Sequence, residues 1–534
     1  MAVVRSLGCV ESYQIALQRL DLMRGIILAC RYTLPAPLVL RCRQSELISV
    51  FERAVARVVL KHPTLHVGLV GEDTDKPCWI RLDQLDLGKH IEWHTEPVRQ
   101  TQLLDARFTD YQTTPGWKVT VVRSGSAGSI EVILVFNHTN LDGRSAMIFH
   151  TNLLQSLQDD RPDLAGEMLL QDHILTLPPE SSAMLAPPPE LIVQFPVHPN
   201  AMRQFLNREV HTPTAQYPRV PTQAHWAPIR ATPFQTQSRR ITVPRHHLSR
   251  LIHACRSHQT TLTGLLHALI AVSLAPLLDF RDAPALSSLT AMDLRRFLPS
   301  RPASHPWFRP EEGMSNYVTL ATHTFDEHIL AQIRESLAGD QLVGPGKDSP
   351  FKASPSLVDL IWTTAAQVRK DLEGKLAQGT TNDMIGFSLA VQDWRAHLGE
   401  EVQRPRRTSW VITNLGEIDG LPHGKGRPSA LPGPSNPLDR STWSITDTEF
   451  VMGANAVSSA ICVALAAVRG GDLVLSCSWQ DAAVDVAVAE AVVANLERWL
   501  TCLRVIDAGR VDGSEGGEGE GVVGLCGANN STSG

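Results

Sequence analysis

The chain has 534 residues, of which 43% are hydrophobic and 19% are charged, and its formal net charge is −6 at pH 7. This length favours two or three domains, and the composition suits a globular protein with a large core. Lysine and arginine are scattered rather than clustered, which argues against nucleic acid as a partner.

The sequence also argues against membrane and metal-binding classes. No apolar stretch reaches the roughly 18 residues of a membrane-spanning helix, so we expect no transmembrane segment. Residues 1–20 are too polar for a signal peptide. The nine cysteines include no Cys-x-x-Cys pair, which argues against a zinc knuckle. An odd number of cysteines without a secretion signal predicts a reducing, cytoplasmic location.

In chain order, the first clear element is a helix at 45–62, where apolar residues recur on one face. Residues 117–122 and 130–137 are predicted as strands that a Gly- and Ser-rich turn connects. The second strand contains an unbroken apolar run, typical of a central strand buried on both faces. The pattern becomes helical over 143–154.

The later part of the chain begins with a proline-rich stretch that breaks any long element. Beyond it, we predict a helix at 261–275, strands at 410–414, 460–467 and 472–478, and a helix at 482–503. The last residues are rich in Gly, Glu and Ser and too poor in apolar residues to fold. The predicted organisation is an N-terminal half at 1–176, a crossover connector at 177–235 wrapped on the surface, a C-terminal half at 236–508, and a disordered tail at 509–534.

The candidate chemistry lies where the predicted strand 130–137 ends. His138 is followed four residues later by Asp142, and then by Gly143. A histidine with a pKa near neutrality can take a proton from a hydroxyl or amine that attacks a carbonyl, and can return it to a departing thiolate. Asp142 would hold the loop in shape by pairing with an arginine, and Gly143 would allow a tight turn.

The motif has three other possible interpretations. A lone His–Asp pair at this spacing is usually structural. A metal site is a second possibility, but no third ligand is suggested nearby. A serine hydrolase of the Gly-x-Ser-x-Gly type is disfavoured because that pattern does not occur in the chain.

The stretch from His138 to Gly143 resembles the His-x-x-x-Asp-Gly signature of the chloramphenicol acetyltransferase-like superfamily, and within it the fungal alcohol acetyltransferases most closely. Other segments resemble motifs of that family in the same order over residues 5–505: 7–11, 61–65, 115–117, 292–296, 314–317 and 413–416. The Asp-Phe-Gly-Trp-Gly motif of the plant members is absent, with Asp447, Phe450 and Gly453 as a faint echo.

The resemblance implies an α/β (α+β) fold of two similar halves, with mixed sheets flanked by helices and an active-site tunnel between them. It implies that His138 is the general base and that Arg295 pairs with Asp142. The remaining candidates for the tunnel wall are Asn316, Asn414, Gly416 and Trp443.

The expected function is O-acyl transfer, with acetyl-CoA or another acyl-CoA as co-substrate and a hydrophobic alcohol as acceptor. Family resemblance points to an intermediate of fungal secondary metabolism. We expect no bound cofactor, no metal and a monomer. Three alternatives remain open: a condensation-type enzyme that takes its acyl group from a carrier protein, an N-acyltransferase, and an inactive binding protein of the same fold.

Overall fold

The structure is a computed structural model that describes residues 2–40, 44–123, 128–159, 169–211, 224–338, 353–421, 442–453 and 455–501. The strands are β1 Val3–Ser6, β2 Gly25–Thr33, β3 Val67–Val70, β4 Cys78–Arg81, β5 Gln84–Asp86, β6 Ile91–His94, β7 Trp117–Val122, β8 Ser129–Asn137, β9 Leu170–Gln171, β10 Ile174–Thr176, β11 Thr236–Val243, β12 Leu286–Asp293, β13 Val318–Phe325, β14 Trp410–Ile418, β15 Ser444–Met452, β16 Ile461–Val468 and β17 Leu473–Gln480. The α-helices are α1 Cys9–Arg19, α2 Ala36–Leu40, α3 Gln44–Lys61, α4 Gln100–Leu104, α5 Gly143–Gln158, α6 Pro199–Phe205, α7 Arg245–Ser257, α8 Leu262–Leu274, α9 Glu327–Ala338, α10 Pro355–Gln378, α11 Met384–Ser388, α12 Trp394–Glu401 and α13 Val486–Thr501.

The first large sheet has five strands in the order β15-β2-β8-β7-β6. Its central strand β8 pairs antiparallel with both β2 and β7. Because side chains alternate along a strand, Val132, Leu134 and Phe136 pack into the core that α3 and α5 cover. Ile133 and Val135 pack into a separate cluster on the opposite face. The predicted central strand, buried on both faces, is confirmed.

The second large sheet has six strands in the order β11-β17-β16-β14-β12-β13. Strand β14 runs parallel to both β12 and β16. Trp410 and Ile412 of β14 point into a core that the apolar sides of α8, α10 and α13 cover. The intervening residues Val411 and Thr413 point to the opposite face, which lines a cavity. One face of this sheet therefore serves packing and the other faces an interior space.

Strand β15 joins the two parts of the chain. It follows β14 in sequence, yet it pairs antiparallel with β2 at the edge of the first sheet. Met452 lies opposite Ile26 and Thr448 opposite Cys30. A strand from the second half of the chain thus completes the sheet of the first half.

The predicted elements agree with the structure within a few residues at their ends. The predicted strand 410–414 is longer, as Trp410–Ile418, with an irregularity between Asn414 and Glu417. The helix predicted from residue 482 begins later, at Val486. The Asp485 side chain accepts the backbone N–H of Ala487 at 2.7 Å, which fixes this start.

The proline-rich segment is packed against the rest of the molecule where it is described. Leu185, Ala186 and Phe195 are buried within it. Short helical turns and α6 replace any long element, because proline supplies no backbone N–H. The tail predicted at 509–534 lies outside the described residues. Among the helices of the described ranges, none is both long and apolar enough to cross a membrane.

Candidate functional site

His138 lies in the tight turn between β8 and α5, where the chain leaves the core of the first sheet. The Asn137 carbonyl accepts the backbone N–H groups of Asn140 and Leu141 at 3.1 and 3.2 Å, which closes the turn. Gly116 packs so closely against this turn that a Cβ there would lie 2.5 Å from Oδ1 of Asn140. The His138 side chain is consequently held in place and is only 9% exposed.

The hydrogen bonds of the His138 ring determine which nitrogen carries the proton. Its Nδ1 lies 2.8 Å from the carbonyl oxygen of Leu141, which can only accept, and 3.3 Å from Nδ2 of Asn316; the shorter contact assigns the proton of the neutral ring to Nδ1. Within the described residues no group hydrogen-bonds Nε2, and His138 lines the cavity. Nε2 is therefore available as a proton acceptor.

Burial lowers the pKa of His138 below its ordinary value of 6.5 and outweighs the opposite effects of Leu141 and Asp142. The ring is thus neutral at pH 7. Asn316 supports it by donating Nδ2–H to the His138 carbonyl at 2.8 Å. The Oδ1 atom of Asn316 is buried and has no partner among the described residues, although Asn316 lines the cavity.

Asp142 does not contact the imidazole; its carboxylate caps α5 and joins the two halves of the chain. Oδ1 accepts the backbone N–H and the hydroxyl of Ser145, both at 2.7 Å. Oδ2 accepts Nη1–H of Arg295 at 2.7 Å and the backbone N–H of Tyr317 at 2.9 Å. Burial alone would raise the pKa of Asp142, but Arg295 and these hydrogen bonds hold it below its ordinary value.

Arg295 uses its whole guanidinium group in this arrangement. Besides Asp142, it donates to the Pro310 carbonyl at 3.0 Å, to Asp293 at 3.1 Å and to the Gly313 carbonyl at 3.1 Å. Burial would lower the pKa of Arg295, but Asp142 and Asp293 raise it above its ordinary value. The predicted ion pair of Asp142 and Arg295 is present in the structure. Its two side chains also hydrogen-bond backbone groups of Ser145, Pro310, Gly313 and Tyr317, so the pair holds the backbone near His138 in place.

Gly143, the first residue of α5, lies against the second half of the chain. A Cβ at this position would lie 2.4 Å from Cδ2 of Leu415 and 3.1 Å from Cζ of Phe450. Glycine therefore permits the close approach of α5 to strands β14 and β15 at the cavity wall.

The cavity next to His138 extends between the two large sheets and has a volume of about 1240 Å³, including the part that opens to solvent. From the first sheet, its wall includes Ile26, Phe450 and Met452. From the second sheet, the wall includes Leu289, Ala291, Val318, Leu320, Val411, Thr413, Cys462 and Ser478. The space is mostly apolar with a small number of polar groups, as in sites that bind small organic molecules.

The other predicted tunnel residues, Asn414, Gly416 and Trp443, do not lie at the cavity wall. Asn414 donates to Thr263 Oγ1 at 3.4 Å and accepts the Gly416 backbone N–H at 2.9 Å, which suits a turn-forming residue. Gly416 adopts a φ of 76° at this turn. Trp443 is buried in the core of the first sheet. None of these three is among the described residues that line the cavity.

Sequence reasoning missed several groups at the site. Ser145 and the backbone N–H of Tyr317 complete the contacts of Asp142. Phe450 and Gly453, described above only as an echo of a motif, line the cavity, while Asp447 pairs with Arg240 at 3.0 Å. The described residues contain no cluster of three or more side chains that could hold a metal ion.

Comparison with known proteins shows which enzymes the chain resembles. The family model for alcohol acetyltransferases matches residues 101–321, which include the His138 turn and Arg295. Probable alcohol acetyltransferase FCK4 of Fusarium pseudograminearum is 25% identical over 93% of this chain and 95% of its own length. These matches show that the chain is an acyltransferase that is similar to the alcohol acetyltransferases. This confirms the resemblance predicted from the sequence.

Solved structures show that the acyltransferase has the expected two-lobed fold. The TRI3 trichothecene 15-O-acetyltransferase from Fusarium sporotrichioides superposes with a TM-score of 0.66, at 14% identity, over 93% of this chain and 94% of that one. The condensation domain of the Monacolin K polyketide synthase MokA superposes with a TM-score of 0.55, at 10% identity, over 94% and 97%. The predicted α/β fold with mixed sheets is confirmed.

Proposed function

We propose that the enzyme transfers an acyl group, preferentially acetyl, from CoA to a hydroxyl of a largely hydrophobic acceptor, with His138 as the general base. The observation that carries this proposal is the geometry of His138: Nδ1 lies 2.8 Å from the Leu141 carbonyl oxygen, and Nε2 has no hydrogen-bond partner among the described residues at the wall of a large, mostly apolar cavity. A positioned, neutral imidazole is the group that such a reaction requires.

In the proposed mechanism, Nε2 takes the proton of the acceptor hydroxyl while the oxygen attacks the thioester carbonyl. The C–S bond of the tetrahedral intermediate then breaks, and the protonated ring returns the proton to the sulfur. The products are the ester and free CoA. Both substrates meet at one base, so no covalent acyl-enzyme is needed.

Each neighbouring residue has a positioning role in this proposal. The Leu141 carbonyl accepts from Nδ1 and stabilises the positive charge that develops on the ring. Asn316 holds the His138 backbone. Asp142 and Arg295 are saturated by other contacts, so they maintain the turn and take no part in proton transfer.

The preference for oxygen over nitrogen acceptors rests on the charge of the cavity. Its described wall contains no Asp or Glu that would attract a cationic amine. The TRI3 protein is named for acetylation of an oxygen, which is consistent with this preference. The cytoplasmic location, the monomeric state and the division at residues 176, 235 and 508 stay predictions.

The test is a competition assay with purified enzyme and acetyl-CoA, in which thiol release is measured with a hydrophobic alcohol and with its matched amine. A trichothecene alcohol is a suitable first member of the panel. Faster transfer to the amine at neutral pH would contradict the O-acyltransferase assignment. Turnover only with an acetylated carrier protein, and with no CoA ester, would favour the condensation-type alternative.

A further inference from the structure

Arg406 is a buried arginine for which the described part of the chain supplies no carboxylate. Its side chain is only 4% exposed and lines the same cavity as His138. Nη1 donates to the Ser458 carbonyl at 2.6 Å, whereas Nε is buried with no hydrogen-bond partner. Burial alone lowers the pKa of Arg406 to about 10, and no neighbouring carboxylate raises it.

The other arginines that are buried among the described residues each form ion pairs with carboxylates. Arg295 is paired with Asp142 and Asp293, and Arg404 is paired with Glu209, Glu400 and Glu401. This difference matters because an uncompensated charge in a buried site is costly. Arg406 therefore has the features of a cation whose counter-ion is a ligand.

One further donor without a partner lies at the same end of the cavity. Nε2 of Gln480 is buried without a partner in the described residues, and Gln480 lines the cavity. Gln480 ends strand β17 directly after Trp479, which packs into the core on the other face of the sheet and lies opposite Ile461 at the start of β16. Ile461 in turn lies opposite Trp410, just after the segment that carries Arg406.

This end of the cavity is remote from His138. Gly143, next to the His138 turn, packs against Leu415, whereas Arg406 precedes Ser409 at the other end of β14. Because a strand rises about 3.3 Å per residue, Ser409 and Leu415 are separated by roughly 20 Å. An anionic group bound by Arg406 would thus belong to an extended molecule, or to one of two molecules in the cavity.

We propose that Arg406, together with Gln480, binds a carboxylate that the acceptor carries at the end remote from its reacting hydroxyl. This inference rests on the proposed function, and it specifies the hydrophobic alcohol of that proposal as a hydroxy acid. Arg406 is the only residue with a full charge in the described wall at neutral pH, which suits one carboxylate. The diphosphate of CoA carries more charge than this single buried cation compensates.

The experiment measures binding without turnover. Equilibrium dialysis gives the Kd of ω-hydroxylaurate and ω-hydroxypalmitate and of their methyl esters, for the wild-type enzyme, Arg406→Gln and Arg406→Lys. We expect the wild-type enzyme to bind at least one acid about tenfold or more tightly than its ester, since charge-assisted hydrogen bonds are the strong ones. Arg406→Gln should reduce this ratio to near one, and Arg406→Lys should retain part of it. Arg250→Gln, on the exposed side of α7, is the matched control and should change nothing.

Two outcomes would overturn the proposal. The first is an unchanged acid-to-ester ratio in a folded Arg406→Gln protein. The second is a raised KM for acetyl-CoA without a change for acetylpantetheine, which would assign Arg406 to a donor phosphate. If Arg406→Gln does not fold, Gln480→Leu replaces it and should weaken binding of the acid but not of the ester. Repeating the dialysis with His138→Ala separates the two proposals, because acid binding does not depend on His138 as base.

Discussion

Nη1 of Arg295 lies 2.7 Å from Oδ2 of Asp142, although the two residues are 153 positions apart in the chain. The contact joins the start of α5 to the turn that follows β12, so it connects the two lobes directly beside His138. Both side chains are buried, and besides Arg295 the carboxylate binds the backbone N–H and hydroxyl of Ser145 and the backbone N–H of Tyr317.

The first prediction follows from this buried pair. Asp142→Asn removes the buried carboxylate of the pair and leaves Arg295 only the partly exposed Asp293 at 3.1 Å, so the free energy of unfolding should fall by about 3–5 kcal/mol, as measured by urea denaturation. Arg295→Met should show a similar loss, and the double variant should lose less than the sum of the two. The exposed pair of Arg369 and Glu373 is the control: Glu373→Gln should cost about 0.5 kcal/mol or less. Full additivity at Asp142 and Arg295 would contradict their coupling.

The second prediction concerns the base. His138→Ala should lower kcat for acyl transfer by about 10²- to 10⁴-fold, the usual contribution of a positioned acid–base group. His246→Ala, on the exposed start of α7, should leave kcat unchanged. Circular dichroism establishes that both variants are folded. Near wild-type turnover by His138→Ala would remove His138 from the mechanism.

The third prediction is the pH dependence of the reaction. The base acts only when its ring is neutral, so activity is lost as the pH falls through the pKa of His138 in the folded enzyme. Burial places that pKa below 6.5, and the acid limb of kcat/KM should therefore have its midpoint below pH 6.5. The profile is measured with a non-ionisable alcohol, so that only the enzyme titrates. A midpoint above 6.5 would mean that another group controls the rate.

The fourth prediction tests how precisely the His138 turn must be held. In Gly116→Ala, the new methyl group would lie 2.5 Å from Asn140 Oδ1 and 2.8 Å from Asn137 Cβ, and the turn must shift. We expect a loss of about 1–3 kcal/mol in stability, and a fall in kcat that can approach 10²-fold for a displacement near 1 Å. Gly374→Ala is the control, because a Cβ there meets nothing within 4 Å and α10 favours alanine. Unchanged kcat in Gly116→Ala would show that the turn tolerates displacement.

The parts of the site that are local in sequence could be predicted, whereas those assembled by the fold could not. The apolar run of β8, the polar turn and the start of α5 follow one another in the chain, so His138 could be named as a candidate, and the family resemblance made it the expected base. The pairing of Asp142 with Arg295 came from the ordered motifs of the family. The hydrogen bond from the Tyr317 backbone N–H to Asp142 could not be predicted, because every residue except proline has such a donor. Only the pairing of β12 with β13 brings this one to Asp142.

The burial of the charged side chain of Arg406 also could not be predicted from the sequence. It lies in the run from Arg404 to Arg407, whose composition indicates an exposed basic segment. In the structure Arg404 contacts Glu209, Glu400 and Glu401, whereas Arg406 lines the cavity and has no carboxylate partner among the described residues. Which of several adjacent arginines is buried depends on how the segment enters β14, and periodicity does not encode this.

Strand β15 has a consequence for how this protein can be divided. If residues 1–235 were produced as a separate polypeptide, β2 would lose its neighbour and become an open sheet edge of largely apolar character. Such an edge is a template for pairing with other chains. The two lobes are thus not independent folding modules, and a split enzyme would regain a closed sheet only when the second fragment supplied its strand in trans.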